Sequence, residues 1–469
     1  MSYNINSINN INRINSNYRT EQPKCSQPAK AAESAPVSVP VQSNVNFNGF
    51  FSNLMGVHSK LKNKEDRAKY KEIYSGLSSS GKKDLEQLLT AGIILNKNSN
   101  DGSSVLDSLY KIKTTERIRG LNATRIIEET VSRLAFSPTV EQKFEKIPDE
   151  LKQQLFNEEK AAQGKAALPN APKSPDDLDV TASATCVAAS VEFSLADKKP
   201  AEYARYIEGL TSARGEVKTK IHFGDINPNL LSALDILRVF NTEHKTINFN
   251  DVEVTLKPDR NAFVRARVLH TYPQSSTRNS VDALMQSTFM QLGSQNTYNS
   301  LTDKRYGELN ADNSGLTEIE KNFVETIVDN NGGKTSLTYQ IVDENKRVTG
   351  YYMDFAATKK QLLDSLDSGS DVIIGLTETD ANKEIIGGHE ITLIGHKMKD
   401  NELYFVYNDT DDDYVGKLEM KASELIPKIH HAGIPNAVLG VQPQPNVKNE
   451  LIRYYRELKS QPKQAAKAV

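Results

Sequence analysis

The sequence predicts an α+β protein in which a helical region precedes a mixed region that starts in helices and ends in an antiparallel sheet. Two patterns predict it. Through residues 47–160 apolar residues recur three and four apart, as in "LEQLLTAGIIL", "VLDSLYKI" and "ATRIIEETVSRLAF". Beyond residue 179, helix-like "TCVAASVEFSLA", "NLLSALDILRVF" and "VDALMQSTFMQLG" alternate with strand-like "NDVEVTL", "KTSLTYQIVD", "DVIIGLTE", "HEITLIGH" and "ELYFVYND". No fixed-period repeat indicates a solenoid or propeller.

In chain order, residues 1–46 are dominated by Asn, Ser, Pro and Gln and bury too little apolar surface to offset ordering, so a disordered polar arm is expected. Residues 47–160 form the helical domain, with "SPTVEQ" and "IPDELKQQL" as helix starts. His58 is its one histidine and no acid–base constellation accompanies it, so a scaffold, an inhibitory cover or a partner contact are the roles open to it. Residues 161–178, rich in Ala, Pro, Gly and Lys, read as a linker. Residues 179–440 are the main α+β domain, and 441–469 a basic helix with a frayed tail.

The 469 residues suffice for two or three domains, and 38% hydrophobic content suits a globular protein with polar extensions. A net charge of −2 leaves no footprint for nucleic acid or an anionic membrane. No run reaches the length of a membrane span, and the N-terminus lacks the basic and apolar parts of a cleavable signal peptide. Either retention in the cytoplasm or export by a non-classical route is consistent with that. Two cysteines, Cys25 and Cys186, exclude a disulfide framework, because Cys25 lies in a polar, Pro-containing stretch.

Cys186 opens the periodic run Val187, Ala188, Val191, Leu195, which places it at a helix N-terminus. Thiols in that position ionise more readily, because the macrodipole and unpaired amides favour the anion, and the thiolate is the species that attacks carbonyl carbon. Small Ala188, Ala189 and Ser190 allow close packing on a second layer. Near the other end, "DVIIGLTE", "GGHEITLIGH" and "ELYFVYNDT" read as three strands, the last two a hairpin. With its turn near Lys399, His389 mirrors Asp409, with Asn408 one register step away. Either partner would hold one ring nitrogen and leave the other facing the thiol. Gly387 and Gly388 keep the approach to His389 free of side chains.

The order Cys186, "SGSDVIIGL", "GGHEITLIGH", "LYFVYND" resembles the papain-like cysteine peptidases, especially bacterial relatives of the bacteriocin-leader peptidases, over roughly residues 179–440. The resemblance implies Cys186 as nucleophile, His389 as general base and acid, and Asp409 or Asn408 as orienting residue. It also implies hydrolysis of peptide or isopeptide bonds in a peptide or protein substrate through a thioester, without cofactor or metal. Rival readings are an acyl-transfer enzyme of transglutaminase or amidase type, and an inactive papain-like binding module.

The sequence departs from the family pattern. Val180 stands where the oxyanion-stabilising Gln is expected, leaving the amides of Cys186 and Thr185 or the Ser183 hydroxyl for that task. Thr185 replaces the commoner Gly and Val187 the usual aromatic. The Cys–His separation, 389 − 186 = 203, exceeds the roughly 130 to 150 of the papain group. "FNDVEVTLKPDRNAFVRARVLHTYPQ" or "NTYNSLTDKRYGELNADNSG" is the expected insertion, read as a substrate-covering or connecting loop.

His396, His430 and His431 lack carboxylate or thiolate partners at ligand spacing, so no metal site is expected. "DTDDD" at 409–413 has Tyr414 where a calcium loop needs Gly, and reads as an acidic turn. In "NADNSGLTEIEKNF", Lys321 stands where the bidentate Glu belongs, and Thr317 with Glu320 reads as a capping box. No P-loop or dinucleotide fingerprint is present.

Overall fold

Among the described residues, the first four helices are each opened by a side-chain cap. In the computed structural model, α1 (Lys64–Ser75) is capped by Asn63, α2 (Ser79–Ala91) by Ser78, α3 (Val105–Thr114) by a Ser104–Asp107 capping box, and α4 (Ala123–Ala135) by Asn122. Gly92, at φ 78°, ends α2 in the left-handed conformation that favours glycine. The residues described are 60–142, 148–163, 172–178, 183–271, 278–305, 315–329, 333–412 and 416–440. The expected arm at 1–46, the tail at 441–469, Cys25 and His58 lie outside them. So do residues 164–171 of the expected linker.

After α5 (Asp149–Gln163) come α6 (Cys186–Lys198) and α7 (Pro200–Thr211). An antiparallel sheet of order β1–β3–β2 follows, from β1 (Val217–His222), β2 (Glu243–Thr246) and β3 (Asp251–Leu256), with α8 (Leu230–Val239) inserted. Next are α9 (Arg260–Thr271), α10 (Ser280–Gly293) and α11 (Glu318–Asp329). The rest is a six-stranded antiparallel sheet of order β10–β9–β8–β7–β11–β4. Its strands are β4 (Lys334–Thr338), β7 (Val372–Thr379), β8 (Ile385–Lys399), β9 (Glu402–Asn408), β10 (Leu418–Lys421) and β11 (Ile429–Pro435). A β5 (Gln340–Val342) and β6 (Val348–Tyr351) ribbon and helix α12 (Phe355–Asp367) lie between β4 and β7. The chain is therefore mixed α and β with antiparallel sheets. Among the described residues no helix is long and apolar enough to cross a membrane.

The helical region and the mixed region share one core. A single buried cluster contains Leu85, Leu109 and Ile127 from α2–α4, and also Val187, Tyr206, Leu284, Val324 and Ile373. Buried polar bonds cross the same boundary: Arg133 of α4 donates from Nε to Asp282 of α10 at 3.0 Å, and Ser280 donates to Glu129. All described residues fall in one compact unit, Ser52–Val469. Residues 161–178 thus separate two stretches of sequence that bury each other, rather than two cores. A second cluster, with Leu362, Ile374, Ile391, Phe405 and Ala432, packs α12 on the six-stranded sheet.

Other local expectations change. "SPTVEQ" makes only a 3₁₀ turn, Ser137–Thr139. "KTSLTYQIVD" divides at Tyr339, whose N–H donates to His430 O at 2.7 Å, so β4 joins the large sheet and β5 the ribbon. Half of the first proposed insertion is the buried helix α9, carrying fully buried Arg265, and not a loop. In the second, residues 306–314 lie outside the described residues. Thr317 and Glu320 do form the expected reciprocal cap, Thr317 N–H donating to Glu320 at 2.8 Å and Glu320 N–H to Thr317 Oγ1 at 3.4 Å.

Candidate active site

Helix α6 begins at Cys186 and is buried on nearly every side, with Val187, Ala188, Ala189, Ser190 and Val191 all inaccessible. Its small side chains let it lie against both β8 and α10. The turn before it is held by long-range bonds: Ala184 N–H donates to Asp303 at 2.8 Å, and Thr185 Oγ1 to Gln286 Oε1 at 3.0 Å. Thr185, at φ −91°, needs no glycine. Because its hydroxyl goes to Gln286, it places no side-chain cap on the helix, and the first turn keeps amides without an intrahelical partner next to the thiol. Gln286 is itself anchored, its Nε2 donating to Glu141 O at 2.9 Å and Glu192 at 3.0 Å.

Two of the oxyanion donors expected from sequence bond to each other. Thr185 N–H donates to Ser183 Oγ at 3.3 Å, and that hydroxyl lies 2.7 Å from Thr185 Oγ1. The Cys186 amide is the donor of the three that no described residue engages.

His389 sits on β8 opposite Leu376 of β7, and Asp409 directly follows β9. Their side chains meet, His389 Nε2 to Asp409 Oδ1, at 2.7 Å. With Nε2 held by Asp409, Nδ1 is the ring nitrogen left for Cys186, whose thiol lies close enough to act on the charge of the imidazole. Burial acts to lower the His389 pKa. The bond to Asp409 and the negative charge of Asp409 and Cys186 outweigh that and push it up to about 10. The imidazolium is thus favoured at neutral pH, the acid form that protonates a leaving group.

The hairpin differs in register from the sequence reading. Its turn is Asp400–Asn401, with φ of 51° and 61°, as a two-residue type I′ turn requires. A bulge between Leu393 and Gly395 then shifts the ladder by one, and pairing ends at Thr392 opposite Asn408. Continued, this register puts Asp409 across from Ile391, diagonal to His389 and on its face. Asn408 falls on the other face. It is 1% exposed, and neither amide atom bonds to a described residue. The structure therefore separates the two candidates, bringing Asp409 to His389 and turning Asn408 away.

The Asp409 turn is fixed from both sides. Asp411 N–H donates to Asp409 Oδ1 at 3.0 Å. Thr410 accepts from Gln142 N–H at 3.2 Å and donates its hydroxyl to Gln142 Oε1 at 2.9 Å. Gln142, Gln286 and Asp303 are positioning residues that the sequence reading missed. One signal was present, since Gln286 interrupts an apolar helix and a buried amide demands partners. Nothing local marks Gln142 or Asp303 as site residues, since the segments they hold there, at Thr410 and Ala184, lie more than a hundred positions away. His396 is elsewhere, bonded to Asp367 at 2.8 Å. No protein-family model, curated protein or solved structure matches the chain.

Proposed function

We propose that this chain is a papain-like thiol hydrolase that cleaves peptide or isopeptide bonds, with Cys186 as nucleophile, His389 as acid and base, and Asp409 as orienting residue. The observation that carries this reading is one imidazole bonded to a carboxylate, with a thiol at a helix start near enough to influence its charge. Cys186 sulfur attacks the carbonyl carbon, and the Cys186 amide donates to the oxyanion. His389 gives its proton to the leaving amine as the thioester forms. It then takes one from the water that attacks the thioester, and the acid product leaves with the thiolate restored.

The test is the rate at which iodoacetamide labels Cys186, followed across pH in the wild-type chain and in His389→Ala. Fast labelling in mildly acidic and neutral solution that slows at least about tenfold in the variant is expected. Equal, slow labelling in both proteins would sink the active-site reading and favour a binding module.

A further inference from the structure

A second constellation lies on the six-stranded sheet. Consecutive residues of a regular strand point to opposite faces, yet the rings of His430 and His431 meet, with Nδ1 atoms 3.0 Å apart and ring planes perpendicular. The cause is a register shift in β11 between Ile429 and His431, where pairing with β7 passes from Leu376 to Gly375. Glu318, the first residue of α11, completes a group whose ligand atoms lie within 4.8 Å of one another. Its carboxylate is aimed by β4, accepting from Ser336 Oγ at 3.0 Å and Thr338 Oγ1 at 3.0 and 3.1 Å.

The surroundings are built for this arrangement. Glu390 Oε1 lies 2.8 Å from His431 Nε2. The contact is a charge contact rather than an aligned hydrogen bond, because Nε2 bonds to no described residue. The carboxylate still favours the proton on Nε2, which leaves the His431 Nδ1 lone pair for the Nδ1 contact and the proton there to His430. A carboxylate behind an imidazole in this way fixes the tautomer of metal-binding histidines. Gly375 makes room: a Cβ there would stand 2.3 Å from His431 Cε1 and 2.7 Å from Glu390 Oε1.

We propose that Glu318, His430 and His431 bind a divalent transition metal, with zinc the ion that two imidazoles and a carboxylate best suit, and that Glu390 orients His431 behind it. Ligands about 2.1 Å from a tetrahedral ion lie roughly 3.4 Å apart, so half-buried Glu318 and His430 need only small rotations to close on it. Binding moves the His430 proton from Nδ1 to Nε2, which frees the second lone pair. The ion ties α11 to β11, and a water takes the fourth position.

The probe is zinc itself, added to the full, tag-free chain carrying Cys25→Ser and Cys186→Ala so that no thiol competes. One zinc per chain is expected. It should be lost in His430→Ala and in His431→Ala, weakened about 10- to 100-fold in Glu390→Gln, and kept in His396→Ala. Failure of the cysteine-free chain to take up zinc at about micromolar concentration, or retention of one zinc by the His430→Ala, His431→Ala double variant, would overturn the site. Should the alanine variants not fold, X-ray absorption on the zinc-loaded cysteine-free chain decides. Two imidazoles and a carboxylate around the ion support the site, and any other protein ligand set overturns it.

Discussion

Asn408 and Asp409 are neighbours in sequence with opposite surroundings, and the difference can be measured. Asp409 holds His389 at 2.7 Å, whereas Asn408 is buried with both amide atoms unbonded to any described residue, opposite Thr392. Replacing a buried, unsatisfied amide with an apolar group of like size is close to neutral, so Asn408→Leu should hold stability within about 1 kcal/mol and leave Cys186 labelling unchanged. Asp409→Ala should slow that labelling and return the His389 pKa toward the ordinary imidazole range, seen as an earlier alkaline limb in the pH profile. Wild-type behaviour in Asp409→Ala with loss in Asn408→Leu would reverse the assignment. The sequence carried the residue types and the helix start at Cys186, because both are local. It did not carry the bulge at Leu393–Gly395 or the turn at Asp400–Asn401, which depend on how β8 packs, and these decide the face each residue takes.

Among the elements, α6 and β7 meet at their polar ends, where a buried carboxylate makes stability depend on pH. Asp371, one residue before β7, is about 3% exposed and lies 3.1 Å from Lys198 at the end of α6. Burial pushes its pKa up to about 7, against the opposing pull of Lys198. With the folded pKa above the unfolded value, the folded protein holds a proton that the unfolded chain has lost. The stability this group contributes is fully present below the unfolded pKa and is lost as pH rises through about 7. Asp371→Asn should flatten that fall and leave the protein more stable than wild type at pH 8, by on the order of 1–3 kcal/mol. Urea denaturation at several pH values checks it, and parallel curves for the two proteins would refute it. Most helices and the strands of the C-terminal hairpin were readable from periodicity, since each buries one face or is buried throughout. β1, β2, β6, β10 and β11 were missed, because short strands such as "VKTKIH" and "IHHAGIP" gain their pairing from partners far away in sequence.

Across the whole molecule, the composition shift at residues 161–178 suggests a place to cut the chain, and the packing argues against cutting there. Helix α3 lies on α7 and α4 on α10, and the cluster that buries Leu109, Ile126 and Val131 also buries Val187 at the start of the cysteine helix. A fragment beginning at residue 172 would expose that face. It would also strand Asp282 without Arg133 in a site where its side chain is fully buried. Removing one partner of a buried ion pair costs about 3–5 kcal/mol, and losing several buried leucine and isoleucine contacts costs about 2–5 kcal/mol each, against a total stability of about 5–15 kcal/mol. Residues 172–469 expressed alone should therefore lack a cooperative thermal transition and should bind a hydrophobic dye. In the full chain, Leu109→Ala should lower the midpoint of one transition followed both by circular dichroism and by Cys186 labelling, although Leu109 belongs to a different helix. A fragment that melts cooperatively, or a Leu109→Ala chain in which the helical signal melts before Cys186 becomes freely accessible, would show two separable bodies instead of one.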